Sequence, residues 1–333
     1  MATADVKALD TAVPAAGEFA VQKGVVARGP WQHAWARLKK DKVGIASTIF
    51  IGWLFLFAAC APLFEKLTNH PLNKSQSSGT DDLTLLPVKP MHGCSSYLPW
   101  KWGDVHCFPL GASDSLGHDM LVQLSYGART SLLIGIAATT ITMILALAAG
   151  LLAGFFGGFV DGSLSRLMEI IAAFPFLLFA IVMSVTFGPS RMTVIGVIAF
   201  FSWFYAGRIF RAEVLTLRER EFVVAARMLG ATNWRLLGKH IFPHLISPLI
   251  VLASLSMAAA ISTEAALSFL GFGIPVEIAS WGRMIDQAVP GGLYRNAPHL
   301  MLFPGTLLVL TVLAFNLLGD SLRDALDPRG GRA

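Results

Sequence analysis

The chain has 333 residues, of which 54% are hydrophobic and only 14% are charged, and its mean hydropathy is +0.61. This composition is too apolar for an ordinary soluble globular protein and favours an integral membrane protein. The net charge of +5 does not indicate nucleic-acid binding, because the basic residues follow the ends of the apolar segments.

Six apolar segments are long enough to cross a bilayer, which takes about 20 helical residues each. The second and the fifth are rich in Gly, Ala and Ser, which predicts close helix–helix packing. The six segments are Val43–Phe64, Ser131–Phe156, Leu164–Phe187, Met192–Phe210, Leu245–Leu270 and His299–Leu318. The sequence therefore predicts an all-α integral membrane protein with six transmembrane helices.

The distribution of basic residues predicts that both termini are cytoplasmic. With that orientation most of the 26 Lys and Arg residues lie inside, as the positive-inside rule requires. Residues 1–42 and 321–333 are then cytoplasmic tails, and residues 65–130 form a periplasmic loop. Residues 131–320 hold the other five helices and a cytoplasmic loop at 211–244. The first 30 residues have no signal-peptide pattern. Trp31–Lys42 is either an amphipathic interfacial helix or simply the positive flank of the first span.

The predicted periplasmic loop contains Cys94 and Cys107, which have three possible states. An oxidising compartment favours a disulfide between them. A metal pair is the second possibility, since His92 and His106 are close in sequence, and free thiols are the third. Cys60 lies in the first span, where a packing role is expected.

The segment Leu110–Asp119 is rich in turn-forming residues and precedes the second span. Asp119 is expected near the start of a helix, where the helix dipole favours a carboxylate. Asp114, His118 and Asp119 could also form a metal site, but such a cluster without a further ligand is common by chance. No metal site is predicted.

The third span contains two features that are unusual in a membrane. Arg166 and Glu169 are spaced for an i, i+3 ion pair near its inner end. Phe174-Pro175 interrupts the same span and predicts a kink, which would either line a transport path or be a purely structural bend.

Glu264 is the carboxylate placed deepest in an apolar segment, where an unpartnered charge costs about 2.5 kcal/mol or more. One interpretation is a path or gate residue. The other is a polar cluster between helices with Ser262, Thr263 and Ser268, or a position near the outer interface. Beyond this span, Trp281–Ile285 is expected to form a short external helix.

The sequence contains no recognisable catalytic motif. Gly238-Lys239 is the only Gly-Lys pair and lacks the P-loop context, and neither G-x-S-x-G nor H-E-x-x-H occurs. The chain is therefore predicted to be non-catalytic and to bind no cofactor of its own.

Glu221–Pro243 lies between the fourth and fifth spans and is basic rather than apolar. It predicts a short helix, a turn at Gly230 and a second short helix that runs into a span at Pro243. Ala225, Ala226 and Leu229 are spaced to form a small apolar face on the first helix. A helix–turn–helix of this kind, inserted between membrane spans, requires a partner to dock against.

This segment resembles the EAA loop of bacterial ABC-importer permeases, in which two alanines precede a glycine and an I-x-P sequence. Val224 occupies the usual position of the acid, and Glu221 is the nearest acidic residue, so the shape of the loop is a better guide than one particular acid. The predicted ATPase-docking residues are Glu221, Ala225, Ala226, Gly230, Ala231, Ile241 and Pro243.

Further motifs resemble the dipeptide/oligopeptide/nickel branch, in particular its C-type subunit. They are Gly111–Asp119, Phe174-Pro175, Leu267–Gly273, Ser280–Gly282 and Gly319–Arg329. The resemblance implies the type I ABC-importer permease fold in the bacterial inner membrane. It also implies a second related permease, two ABC ATPase subunits that use ATP, and a periplasmic solute-binding protein that delivers di- or oligopeptides.

Two other classes remain possible from the sequence. A secondary transporter or channel is disfavoured because the chain lacks inverted halves and intramembrane ion-coupling residues. A structural membrane subunit without transport activity is also compatible with six spans. The solute is open as well, since nickel complexes and other small ligands fit the same branch.

Overall fold

A computed structural model describes residues 38–81, 86–94 and 107–326. Helices dominate these ranges, and extended backbone pairs only at isolated bridges, which agrees with the predicted all-α fold. The predictions for residues 1–37, including most of Trp31–Lys42, lie outside the described residues. So do His106 and the end of the C-terminal motif, Asp327–Arg329.

The helices are numbered here in chain order. They are α1 (Lys42–Ala59), α2 (Ala61–Thr68), α3 (Met120–Phe156), α4 (Gly158–Ala173), α5 (Phe176–Phe187), α6 (Arg191–Arg218), α7 (Glu221–Met228), α8 (Asn233–Phe269), α9 (Trp281–Ala288), α10 (Leu293–Asn296) and α11 (His299–Leu326). Short 3₁₀ turns occur at Ser77–Gly79 and Pro290–Gly292.

Five of these helices, α1, α3, α6, α8 and α11, are long and apolar enough to cross a membrane. Helices α4 and α5 provide a sixth crossing if they are counted together, although they are bent by 83°. The bend lies at the predicted break, Phe174-Pro175. Phe174 is extended, with ψ of 135°, as the residue before a proline prefers, and Pro175 has no N–H to continue the helical ladder.

Several helix ends differ from the predicted spans. The first span is divided at Cys60 into α1 and the short α2. Helix α3 begins at Met120, well before Ser131, because the Asp119 carboxylate accepts hydrogen bonds from the backbone N–H groups of Leu121 and Val122. The segment between α2 and α3 is therefore shorter than the predicted loop, residues 65–130. Helices α6 and α11 likewise extend beyond their apolar runs.

Helices α3 and α6 form the most extensive helix pair, and glycines of α3 allow their close approach. A Cβ atom added to Gly150 would lie 2.5 Å from Phe210 Cβ, 3.0 Å from Arg211 N and 3.1 Å from Gly207 O. Gly154 faces Val214 and the backbone of Arg211 in the same way. The close packing predicted for the second span is confirmed.

Gly150→Val is expected to destabilise this pair by about 1–3 kcal/mol, because the neighbouring backbone of α6 cannot move aside without disturbing its own hydrogen bonds. Gly196→Val is the matched control, since a Cβ atom there meets nothing within 4 Å. Thermal unfolding of the purified protein in detergent measures both variants. Equal melting temperatures for the two would contradict the packing argument.

The segment between α2 and α3 is tied to one end of the bundle. His70 Nδ1 lies 2.8 Å from the Asp119 carboxylate, both side chains are buried, and the His70 ring stacks on Phe108 at 4.5 Å. Tyr126 donates a hydrogen bond of 2.6 Å to Glu65. This end of the bundle also carries α9 and is called the α9 end below.

Cys94 and Cys107 are bonded to each other in the structure, with their Cα atoms 4.3 Å apart. Cys60 is a free cysteine with intermediate exposure. Beside the cysteines, His92 and Phe108 pair as an isolated antiparallel bridge. The bond therefore closes the loop at the point where its two ends already meet.

Cys94→Ser/Cys107→Ser is expected to lower the stability of this loop by about 3 kcal/mol, the value typical for a cross-link of this spacing. Limited proteolysis of intact membranes should then cleave between α2 and α3 faster than in the parent protein. Cys60→Ser is the matched control. Unchanged cleavage in the double variant would show that the cross-link does not order the loop.

Candidate functional site

The predicted helix–turn–helix is present between α6 and α8. Helix α7 ends at Met228, and Gly230 then adopts φ of +82°. The N–H of Gly230 donates to Arg227 O and that of Ala231 donates to Ala226 O, which is the paired hydrogen-bond pattern of a helix ending in a left-handed residue. Most residues with a side chain would be strained here, so the turn favours glycine, with asparagine the best-tolerated alternative.

The inner side of this loop is anchored in the helix bundle. Val223 is buried, and so are Leu236, Leu237 and Ile241 after the turn, all in one cluster with α3 and α6. Ala226 and Ala231 are half-buried against the same cluster. The prediction missed Val223 and the two leucines, although their apolar spacing around the turn was a usable signal.

The outer side of the loop exposes large apolar side chains. Met228 is 84% exposed, Leu229 89% and Trp234 72%, and Val224 is also exposed. The single apolar face predicted from Ala225, Ala226 and Leu229 is wrong, because these residues do not lie on one side. Ala226 packs against the bundle, whereas Ala225 and Leu229 are exposed, because adjacent residues of an α-helix point in different directions.

The remaining predicted loop residues have different environments. Glu221 is exposed at the first position of α7 and forms no ion pair with the described part of the chain. Ile241 is fully buried, and Pro243 is exposed near the start of the membrane-spanning part of α8. Ile241 therefore anchors the loop, while Pro243 lies on its surface.

Contacts from α3 brace the loop. Arg218 Nη1 donates to Gly154 O at 3.2 Å, where α3 ends. The Arg227 guanidinium lies over the Phe155 ring at 5.8 Å, and the rings of Phe156 and Trp234 are 6.3 Å apart. The loop is thus positioned by the ends of α3 and α6 as well as by its own turn.

Beyond the loop, the chain continues as one long helix. Leu236–Ile241 is π-helical, and the helix then proceeds to Phe269 despite Pro248 in its interior. Helix α8 therefore connects the exposed loop directly to the opposite, α9 end of the bundle.

Glu264 lies near the far end of α8 and is completely buried. Its carboxylate accepts hydrogen bonds from Ser131 of α3 and Ser268 of α8, each at 2.8 Å, and from Ser280, the residue that caps α9. Of the expected local partners only Ser268 contributes. Ser262 is exposed and Thr263 bonds to Ala259 O, because a helix turns these two neighbours away from Glu264.

The predicted path residues lie apart from Glu264. Phe174 is 57% exposed, and with Phe176, Phe201, Phe204 and Thr263 it lines an open cleft of about 290 Å³ at the α4–α5 bend. Pro175 forms the bend itself. Glu264 does not line this cleft, although Thr263, its neighbour in the sequence, does.

The described residues contain no group of three or more potential metal ligands. Asp119, one of the three residues considered for a metal site, bonds to His70 instead. Asp114 and His118 remain together, with His118 Nδ1 2.6 Å from the Asp114 carboxylate. This hydrogen bond raises the pKa of His118 above its ordinary value of 6.5, against the opposing effect of burial.

Because the folded protein binds this proton more tightly than the unfolded chain, the pair stabilises the fold fully below about pH 6.5. That contribution is lost as the pH rises through the raised pKa of the folded state. The melting temperature is expected to fall over this range, and His118→Gln should remove that part of the pH dependence. If the melting temperature of His118→Gln depends on pH as that of the parent protein does, the His118–Asp114 pair is not the cause.

Comparison with known proteins places this geometry in a family. The family described as binding-protein-dependent transport system inner membrane component matches residues 146–331, and the N-terminal TM domain of oligopeptide transport permease C matches residues 29–86. The dipeptide transport system permease protein DppC of Alkalihalophilus pseudofirmus is 37% identical over 300 residues, covering 90% of each chain. The oligopeptide transport system permease protein OppC of Bacillus subtilis is 33% identical over 302 residues and 90% of each chain.

Among solved structures, an inward-facing conformation of the MetNI methionine ABC transporter is similar to this chain. The TM-score is 0.52 at 17% identity, covering 62% of this chain and 98% of the other, which supports the type I importer permease fold. The chain belongs to the family of binding-protein-dependent transport inner-membrane components, as a multi-pass C-type permease of the dipeptide/oligopeptide/nickel branch of ABC importers.

Proposed function

We propose that this permease forms half of the translocation path of an ATP-driven importer of di- or oligopeptides. The observation that carries the proposal is the braced loop at Glu221–Pro243, which presents exposed apolar side chains from a fixed position between α6 and α8. The peptide specificity is supported by relatives named as dipeptide and oligopeptide permeases.

The loop is proposed to dock against an ABC ATPase subunit. Met228, Leu229 and Trp234 would be buried by that contact, and exposed apolar side chains grouped in this way are typical of an interaction surface. The chain itself is assigned no cofactor, and ATP is bound and hydrolysed by two partner ATPases. This placement puts the loop and both termini in the cytoplasm.

Helix α8 provides the mechanical connection. Its 37 residues correspond to about 55 Å at 1.5 Å per residue, enough to carry a movement from the loop to the α9 end. A displacement of the docked ATPase would tilt α8 together with α6, because the same anchored loop connects the two helices. Such a rigid-body tilt alternates access to a central path that a second, related permease completes.

At the α9 end, a periplasmic binding protein is proposed to deliver the peptide. In this arrangement solute selection is shared with that protein, while the permease supplies the path. Phe174 and Pro175, at the α4–α5 bend, are the proposed path residues, since an aromatic cleft opens there.

Reconstitution tests the proposal. The chain, its paired permease, the two ATPases and the binding protein are placed in proteoliposomes, and uptake of a radiolabelled dipeptide is followed with and without ATP. ATP-dependent uptake that requires every component is the expected result. Uptake by this chain alone and without ATP would instead indicate a secondary transporter or channel.

A further inference from the structure

A second cleft, of about 400 Å³, lies at the α9 end of the bundle and is separate from the loop that docks the ATPase. Arg129 of α3 and Arg191 at the first position of α6 both line it. Both residues are exposed, and neither forms an ion pair with any residue that the structure describes. Two unpaired positive charges therefore border one concave surface.

The cleft also contains groups that suit a peptide terminus. Tyr126 is held in place by its hydrogen bond to Glu65, and Thr130 and Asn73 add further polar atoms. Guanidinium groups bind carboxylates through paired N–H donors, which gives them an orienting role that a point charge lacks. The volume of the cleft exceeds that of a single small anion and admits the end of a short peptide.

Glu277 is the only acidic residue among the side chains that line this cleft. Its carboxylate weakens the attraction of the cleft for simple anions such as phosphate, and it offers a partner for the ammonium group of a short zwitterionic peptide. We propose that Arg129 and Arg191 form a reception site for the carboxylate terminus of the transported peptide. The ligand class rests on the proposed function, whereas the site itself rests on the two unpaired arginines in one cleft.

Because both arginines remain partly hydrated, the site is expected to bind weakly and to release the peptide readily into the path. Removal of both positive charges should weaken peptide binding by about ten-fold, since hydrogen bonds to charged groups contribute more than neutral ones. A peptide without a free carboxylate should bind poorly even to the parent protein.

The test uses the transporter assembled with its partner subunits in nanodiscs, without the binding protein. Saturation-transfer NMR measures binding of trialanine and trialanine amide, and broadening of the ³¹P signal measures binding of inorganic phosphate. Arg129→Gln/Arg191→Gln is compared with Arg295→Gln, which removes an exposed arginine that does not line this cleft. Selective loss of trialanine binding in the double variant, with weak binding of the amide throughout, is the expected result.

Three results would overturn the inference. They are equal binding of trialanine and its amide, trialanine binding that survives the double substitution, and binding of phosphate without binding of the peptide. ATP-dependent uptake, measured after the same purified complex is reconstituted into proteoliposomes with the binding protein, tests the proposed function separately. Normal uptake combined with any of these results would reject the site and retain the transporter.

Discussion

Gly230→Leu is expected to insert into the membrane normally but to lose ATPase binding and ATP-dependent peptide uptake. The glycine has φ of +82°, which costs a residue with a side chain roughly 1–2 kcal/mol, equivalent to about ten-fold in a docking equilibrium. The added side chain would also project from an exposed part of the turn, since a Cβ atom there meets nothing within 4 Å. The loss therefore arises from the shape of the surface and not from a clash within the bundle.

Two matched variants separate backbone strain from side-chain size. Gly230→Asn should retain much of the uptake, because asparagine tolerates the left-handed region. Gly238→Leu adds the same side chain to an open position of the same loop without requiring positive φ. Co-purification of the ATPases and vesicle uptake are the measurements. If Gly230→Leu transports at the rate of Gly238→Leu, the turn is not the coupling contact.

The sequence alone predicted the features that depend on residues close together in the chain. Pro175 predicted the break in the third span, since a proline cannot continue the helical hydrogen bonds, and the spacing of Arg166 and Glu169 predicted their ion pair of 2.9 Å. The residues Trp281–Ile285 form the start of α9, and the hydroxyl oxygen of its cap, Ser280, accepts a hydrogen bond from the backbone N–H of Arg283. In each case the determining residues are neighbours in the chain.

The sequence did not predict hydrogen bonds between residues that are far apart in the chain. Ser131 donates a hydrogen bond to Glu264 from another helix, and His70, which lies far from Asp119 in the sequence, pairs with its carboxylate. Neither pairing has a local pattern, because helix packing alone brings these residues together. Proline predicted the position of the bend but not its angle of 83°, and α4 and α5 each pack against α6.

Glu264→Ala is expected to lower the free energy of unfolding by about 2–4 kcal/mol. The substitution leaves a cavity and removes the acceptor for three serine hydroxyls, and buried donors without a partner are costly. Glu264 is completely buried and makes no ion pair within the described ranges. Thermal unfolding in detergent measures the effect, and Thr263→Ala, one residue earlier on α8, is the control.

The position of Glu264 favours a structural connection over a role in the path. Its hydrogen bonds join α8 to α3 and to the cap of α9, and Trp281 of α9 donates in turn to Leu124 O at 3.1 Å. Movement of α8 would therefore carry α9 with it. Glu264→Gln retains the size and an acceptor oxygen, so it should preserve both stability and uptake. If Glu264→Gln had normal stability but no uptake, the carboxylate itself would act on the solute.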